Sequence, residues 1–351
     1  MVTINVYIFS LCFDDFPFDM HMKKTTVHTS SLYWQMSSLD PTFSEFHTPV
    51  LFREVIDFLP IFSERANVVV DATLGLWGHA SGIIPRLHTG DTFIGIDRDS
   101  ENLAKARGFL TQNGLPHGVT VHWVHANFSE IEKILTRLSL TSITACLYDL
   151  WVSSVHFDDG ERGISIRSSG LLDMRFDRRT GVPASRILET YSPRDLEMLF
   201  RKYGEEPKAF FIAQAIEEAR KKHIPLDTTD ALVSLIRSAS HDPKSPLRVF
   251  QALRIEVNEE FENIETSLHN VLNRIESWGR VEVITFHSLE DRLVKNIFTH
   301  YETDIQNPLT WHIEKKAPFK KITKKPITPT DTEIQMNPRS RSAKLRVTEK
   351  Q

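Results

Sequence analysis

Cysteine, glycine and long apolar runs are scarce in this chain of 351 residues. Cys12 and Cys146 are the only cysteines, too few for a disulfide framework or a zinc site built on thiolates. No apolar run approaches the roughly 18 residues of a membrane span, and the apolar N-terminus lacks the basic residues of a signal peptide. Glycine contributes 14 residues, about 4% where about 7% is usual. We therefore expect a cytoplasmic globular protein, with no metal and no membrane among its partners.

The net charge of −4 hides a basic C-terminus. Residues 315–351 contain eleven lysines and arginines against three acidic residues, a local net charge of +8. Such a cluster suits contacts with phosphates, although many basic runs are only solvated surface. We interpret it as a basic tail able to hold a nucleic acid.

An apolar strand that enters a tight turn is the most informative feature of the chain. The segment starting at Val68 reads Val-Val-Val-Asp-Ala-Thr-Leu-Gly-Leu-Trp-Gly-His-Ala, and the next apolar segment ends at Asp97. Gly75 and Gly78 let the backbone approach a ligand. The Asp97 carboxylate, at the end of the second apolar segment, can accept hydrogen bonds from ribose hydroxyls. The pattern predicts a nucleoside pocket of the kind that NAD, FAD and S-adenosylmethionine sites share. The dinucleotide fingerprint G-x-G-x-x-G is not matched.

Apolar segments alternate with helical patterns over the first half of the chain, which predicts an α/β fold with a mostly parallel sheet. Strands are expected at 67–72, 92–97, 119–125, 143–150 and from Gly279, and one long helix at 250–273. Helical patterns dominate between them, at 192–203, 207–222 and 228–240. We expect a poorly ordered extension (1–40), a discontinuous sheet domain (41–157 and 250–351) and a helical insertion carrying a substrate lid (158–249).

Polar residues at the ends of parallel strands are the candidates for chemistry, because ligands bind outside the carboxyl ends of such strands. They are Asp71, Asp97, Asn127 with Phe128, Asp149 and His287. Phe128 could stack on a purine or belong to the core, and both readings stay open. Asp149 follows an apolar strand, where an ionisable group is more often functional than decorative. In the segment Phe286-His-Ser-Leu-Glu-Asp-Arg, the two acids could simply favour a helix N-terminus.

A series of short motifs follows in order along the chain: His47-Thr-Pro-Val-Leu, Asp71-Ala-Thr-Leu-Gly, Gly95-Ile-Asp-Arg-Asp, Asn127-Phe-Ser, Asp149-Leu, Arg162-Gly, Phe250-Gln-Ala-Leu-Arg, Phe286-His-Ser-Leu-Glu-Asp-Arg and Asn337-Pro-Arg-Ser-Arg-Ser-Ala-Lys-Leu-Arg. From about residue 45 to 348, these motifs resemble those of the bacterial small-subunit ribosomal RNA cytosine-N4 methyltransferase family (RsmH, formerly MraW). The resemblance leaves the first 40 residues unexplained.

The resemblance implies a class I S-adenosylmethionine-dependent methyltransferase, Rossmann-like, with a helical domain inserted in its sheet. It implies methylation of the exocyclic N4 amine of a cytidine in 16S ribosomal RNA near the decoding P site, on the RNA or the small ribosomal subunit, by a protein that could be a homodimer. The family's cofactor positions fall on Trp77, Gly78, His79, Asp97, Phe128, Asp149 and His156. Asp149 is also the first candidate for the catalytic acceptor of the amine proton.

Four positions depart from the family pattern. Trp77, Trp151 and Trp278 stand where glycine is usual, and His156 where glutamine is usual. Because three independent changes from glycine to the largest side chain are improbable, we predict that the organism reads UGA as glycine and that these tryptophans are glycines in its own protein. UGG codons would contradict this prediction.

Two other classes of function stay open. A nicotinamide-dependent oxidoreductase would need the missing second glycine and a hydride-acceptor site. A catalytically impaired RNA-binding relative would follow if Trp77 and Trp151 are genuine and fill the cofactor cleft. Calorimetry with NAD and with S-adenosylmethionine separates the three.

Overall fold

Seven strands form the central sheet of the computed structural model, which describes residues 49–151 and 162–351. The expected extension at 1–40, together with His47 and His156, lies outside the described residues. The strands of this sheet are β1 (Val68–Asp71), β2 (Thr92–Asp97), β3 (Thr120–His125), β4 (Ile143–Asp149), β5 (Ile275–Thr285), β8 (Phe319–Lys321) and β9 (Lys344–Lys350). Two further strands, β6 (Ile305–Gln306) and β7 (Ile313–Lys315), form a separate hairpin.

The sheet order is β3-β2-β1-β4-β5-β9-β8. Strands β1 to β5 are parallel to one another, whereas β9 runs antiparallel to both β5 and β8. The predicted mostly parallel sheet is therefore confirmed. The strand order reverses between β1 and β4, and in such sheets the crevice at this point, outside the carboxyl ends, binds ligands.

Alternation along the strands separates two apolar layers, one on each face of the sheet. Val69, Ala145 and Leu147 pack on one face, and Cys146 and Tyr148 on the other. Successive strand residues point to opposite faces, so both faces of a buried sheet must be apolar. Helices α1 (Phe52–Phe58), α2 (Ala80–Ile83), α3 (Ser100–Gln112) and α4 (Ile131–Arg137) come from the first half of the chain.

A helical segment separates β4 from β5 and has its own apolar cluster, drawn from residues 164–255. Its helices are α5 (Ala184–Thr190), α6 (Pro193–Gly204), α7 (Ala209–Lys221), α8 (Thr229–Ser240) and α9 (Ser245–Asn258). The next helix, α10 (Glu260–Arg274), packs in a sheet layer instead. The predicted domain boundaries stay predictions, but the change of cluster falls between α9 and α10.

The single long helix expected at 250–273 is wrong, because α9 and α10 are separated at Glu259, whose φ is 50°. The break leaves the Asn258 side chain to bind the preceding loop. Its Nδ2 donates to the Met174 carbonyl at 2.8 Å, and its Oδ1 accepts from the Phe176 amide at 2.9 Å. These bonds fix the loop that reaches the cleft described below.

The basic C-terminus is not a free tail. After α11 (Ser288–Tyr301), β8 and β9 complete the sheet, with α12 (Asp331–Met336) and the 3-10 helix Pro338–Ser342 between them. Leu345 and Val347 of β9 are buried, so the charged residues of this segment alternate with core positions. No helix among residues 49–151 and 162–351 is long and apolar enough to cross a bilayer.

Candidate functional site

The carboxyl ends of β1, β2 and β4 open into a cleft. The walls include Ala72, Thr73, Gly75, Asp97, Phe128, Asp149, Trp151, Phe176, Asn263 and Glu290. Three predicted site residues, Asp97, Phe128 and Asp149, therefore line one cavity.

Asp97 is held by two backbone donors at the end of β2. The Gly75 amide donates to Oδ2 at 2.7 Å, and the Asp99 amide donates to Oδ1 at 2.7 Å. Gly75 has a φ of 52°, a left-handed conformation that favours glycine and turns its amide toward the carboxylate. The Asp97 carboxylate also lines the cleft, where it can accept from neighbouring hydroxyls such as those of a ribose.

The floor of the cleft is acidic. Asp71, Asp97 and Asp149 end three adjacent strands, and Asp71 is 2% exposed. Burial, with the nearby charges of Asp149 and Asp97, raises the pKa of Asp71 to about 7. Such a site favours a cationic ligand and repels an anionic one.

Asp149 lies against a buried histidine. Its backbone amide donates to Thr73 Oγ1 at 2.6 Å, and its Oδ2 is 3.6 Å from His79 Nδ1. Burial lowers the pKa of His79, so the ring is neutral at pH 7. His79 Nε2 is 3.0 Å from the Val50 carbonyl, which only accepts, so the proton of the neutral ring sits on Nε2. Nδ1 thus presents a basic lone pair toward Asp149.

A buried chain of hydrogen bonds anchors Phe128. Ser267 Oγ donates to the Phe128 carbonyl at 2.9 Å, so the Tyr148 hydroxyl, 2.6 Å from Ser267 Oγ, must donate to it. The Phe128 ring also meets Tyr148 edge-on, with ring centroids 5.7 Å apart. A fixed aromatic wall beside the Asp97 turn is suited to a purine.

Trp77, Gly78 and His79 do not line the cleft, and His156 lies outside the described residues. Trp77 is 6% exposed and stacks on Phe109 of α3, with centroids 4.8 Å apart. Gly78 packs against Pro49, where a Cβ would approach within 2.9 Å, and His79 lies behind Asp149. The Trp77 side chain turns into the core beside α3 and does not enter the cleft. Trp151 does border the cleft.

Sequence reasoning missed several residues at the cleft, among them Arg98 and Phe176. The Arg98 guanidinium lies 5.5 Å from the centre of the Phe176 ring. Phe176 comes from the loop bound by Asn258, which no local pattern indicates. Arg98 stands directly after Asp97, and that adjacency was a usable signal.

Glu290 belongs to a capping box at the start of α11. Its Oε2 accepts from the Phe286 amide at 2.8 Å, and the Glu290 amide donates to His287 Nδ1. Burial raises the pKa of Glu290, but His287, the Phe286 amide and Arg254 outweigh it and hold the pKa below its usual value. The capping interpretation of the Phe286 segment is confirmed, and Glu290 also lines the cleft.

Comparison with known proteins gives strong sequence matches. A family model described as the MraW methylase family matches residues 44–351. A protein named ribosomal RNA small subunit methyltransferase H from Caldicellulosiruptor bescii is 41% identical over 87% of this chain and 99% of its own length. One of the same name from Mesoplasma florum is also 41% identical, over 87% and 99%.

Among solved structures, one described as an rRNA methylase from Streptococcus thermophilus matches 85% of this chain and 93% of its own, at 10% identity and a TM-score of 0.37. That similarity is low, so the assignment of a family rests on the sequence matches.

Proposed function

The chain belongs to the MraW methylase family, and we propose that it methylates the N4 amine of a cytidine in small-subunit ribosomal RNA. Membership of this family confirms the predicted recognition and the predicted cofactor, S-adenosylmethionine. The relatives' shared name supports small-subunit ribosomal RNA as the substrate. That name does not specify the cytosine N4 atom or a site near the decoding P site, and both are part of our proposal. The cytoplasmic location and the homodimer are proposals as well.

The acidic floor is the observation that carries the proposal. S-adenosylmethionine brings a sulfonium and an ammonium cation, which Asp149 and Asp97 attract, whereas the diphosphate of NAD brings anions that they repel. Asp97 would accept from the ribose hydroxyls and Phe128 would cover the adenine. The same charges count against the nicotinamide alternative.

Asp149 is the residue we assign to the amine. When bound, S-adenosylmethionine would supply an electrophilic methyl group to the cytosine nitrogen, which would give up one proton in exchange. An Asp149 carboxylate would orient the amine by accepting its hydrogen and would take that proton. His79 Nδ1, 3.6 Å behind Oδ2, offers the next basic site. His79 acts through Asp149 and is a positioning residue.

Methyl transfer to small-subunit ribosomal RNA tests the proposal, with nucleoside mass spectrometry of the product. We expect N4-methylcytidine and its absence without enzyme. Asp149→Asn keeps an oxygen that can accept a hydrogen bond but cannot take a proton at neutral pH. It should lower kcat by about 10² to 10⁴ with a small change in the KM for RNA. An Asn variant with wild-type kcat, or a product methylated elsewhere, would overturn the assignment.

The impaired, non-catalytic relative remains the alternative because Trp151 borders the cleft. It predicts RNA binding without cofactor binding, so titration calorimetry with S-adenosylmethionine decides between the two. The Trp77 side chain no longer favours it, since the indole packs on Phe109.

A further inference from the structure

The C-terminal strand begins at the same edge of the sheet as the cleft. Asp149 of β4 is paired with Ile284 of β5, and Ile284 is paired with Leu345 of β9. Two strand spacings amount to about 10 Å. Because β9 runs antiparallel, the residues directly before it, the 3-10 helix Pro338–Ser342, lie at this carboxyl edge.

Two arginines of that 3-10 helix face solvent. Ser340 between them is fully buried, and its hydroxyl donates to the Asn337 carbonyl at 2.8 Å. Arg339 and Arg341 are exposed on either side of it. Among the residues that the structure describes, no carboxylate forms an ion pair with Arg341. The helix therefore holds cationic groups beside the cleft.

A second basic flank lies at the other end of the same edge. Arg179 Nη2 is 2.8 Å from Asp177 Oδ2 and 3.0 Å from Nε2 of His125, the last residue of β3. Asp177 pairs with the Arg179 guanidinium through Nε and Nη2, but the side chain is 65% exposed and Nη1 bonds to no residue that the structure describes, so it can still donate to an anion. The sheet order separates β3 from β9 by five strand spacings, about 24 Å, and the cleft opens between them.

We propose that single-stranded RNA lies across this edge, with phosphates on Arg341 at one flank and on Arg179 at the other, and the target base turned into the cleft above Asp149. This inference rests on the proposed function. Guanidinium groups bind phosphate oxygens in pairs, and a base inside a duplex could not reach a carboxylate at the floor of a cleft.

The lysines expected to hold RNA lie elsewhere. Lys320 Nζ is 2.6 Å from Glu349 Oε1, and Lys321 Nζ is 3.3 Å from Glu302 Oε2. Glu349 is paired across the sheet with Arg280, and Arg280 is paired with Ala145 of β4. Ala145 lies about 13 Å along β4 from Asp149. Both lysines are ion-paired, as Arg179 is, but they lie at the far edge, so they serve as a control matched in charge that differs in position.

The experiment compares two double variants of the full chain, Arg179→Gln with Arg341→Gln and Lys320→Gln with Lys321→Gln. The probe is a short single-stranded, cytidine-containing oligoribonucleotide, and its affinity is measured from about 50 to 200 mM salt. The arginine variant should bind at least about tenfold more weakly, with a slope of log affinity against log salt reduced by about 1.4. Its affinity for S-adenosylmethionine should match wild type, as should the RNA affinity and slope of the lysine variant.

An arginine variant with wild-type affinity and slope overturns the inference, as does an equal loss in the lysine variant. Arg179→Lys with Arg341→Lys keeps the charges and should restore most of the slope; failure to do so also contradicts phosphate contacts. Equal binding of a duplex of the same sequence would refute a single-stranded ligand. Failure of the proposed function looks different: RNA affinity then depends on the two arginines, but wild-type protein transfers no methyl group.

Discussion

Two exposed tryptophans have a left-handed backbone conformation, and we predict that glycine at these positions would make the protein more stable. Trp278 has a φ of 68° and is 57% exposed, and Trp311 has a φ of 60° and is 77% exposed. Left-handed backbone crowds the Cβ of every L residue except glycine, at roughly 1 to 2 kcal/mol per residue. Neither indole is buried, so little packing offsets this cost.

The magnitude follows from comparing glycine with alanine at both positions. Each pair of substitutions removes the indoles, including the Trp278 ring 5.2 Å from Lys320 Nζ, so that loss cancels. Compared with alanine, glycine also relieves about 1 to 2 kcal/mol of backbone strain per site. Against this, the greater flexibility of glycine in the unfolded chain lowers the stability by about 0.5 to 1 kcal/mol per site. Trp278→Gly with Trp311→Gly should therefore exceed Trp278→Ala with Trp311→Ala by about 1 to 2 kcal/mol in free energy of unfolding.

Urea denaturation at constant m-value measures this difference directly. A glycine pair no more stable than the alanine pair would refute the argument from strain. Trp77, with a φ of 60°, is a harder case because its buried indole stacks on Phe109. There the relief of strain opposes a packing loss of about 3 to 5 kcal/mol.

The same backbone angles bear on the recoding of UGA. Of the five described tryptophans, Trp77, Trp278 and Trp311 have positive φ, a conformation that is an outlier for a bulky side chain. Trp311 was not among the residues predicted to be glycine, and we add it. Trp151 does not have a positive φ, so only its position in the family motif supports glycine there. We predict UGA codons at 77, 151, 278 and 311; UGG codons, or native peptide masses that require tryptophan, contradict it.

Three further predictions concern the cleft. Asp97→Ala should weaken S-adenosylmethionine binding by about 1 to 3 kcal/mol, and an unchanged calorimetric affinity would remove Asp97 from the ribose site. Tyr148→Phe removes the donor to Ser267 and should raise the KM for the cofactor several-fold with kcat little changed, because the Ser267 hydroxyl that holds the Phe128 carbonyl is then less firmly oriented; a fall in kcat alone would argue against this role. The pKa of Asp71 rises on folding from 3.8 to about 7 through burial, so the folded protein binds this proton more tightly and the free energy of unfolding falls as pH rises between those values. Asp71→Asn should flatten that fall in urea titrations, and an unchanged pH profile would exclude a raised pKa.

The parallel strands and their acidic ends could be predicted because each depends on a few neighbouring residues. An apolar run, a turn with Gly75 and a following Asp97 specify their local structure almost alone. The break between α9 and α10 could not be predicted in the same way. The segment around Glu259 contains neither glycine nor proline, and its helical period continues on both sides. Only the tertiary bonds of Asn258 to the Met174–Phe176 loop reveal why the chain turns there.

The basic C-terminus shows a second limit of sequence reasoning. A count of charges does not say which cations already have partners, and Lys320 and Lys321 have them. Nor does the count reveal that β9 is antiparallel, which brings Arg341 rather than these lysines to the edge of Asp149. Strand direction is set by pairing across the sheet, so it is absent from the local pattern of β9.

The class of cofactor depends on charges that only the fold brings together. A strand, a glycine turn and a distal acid are common to sites for anionic dinucleotides and for a cationic sulfonium, so the pattern at Gly75 and Asp97 does not separate them. Asp149 lies more than fifty residues later and joins Asp97 at one floor because β4 is adjacent to β1. At an effective dielectric constant of about 20, a unit charge about 6 Å from Asp149 gains or loses about 3 kcal/mol. Each such change is about a hundredfold in affinity, a gain for the sulfonium and a loss for the diphosphate in a pocket whose local motif accepts both.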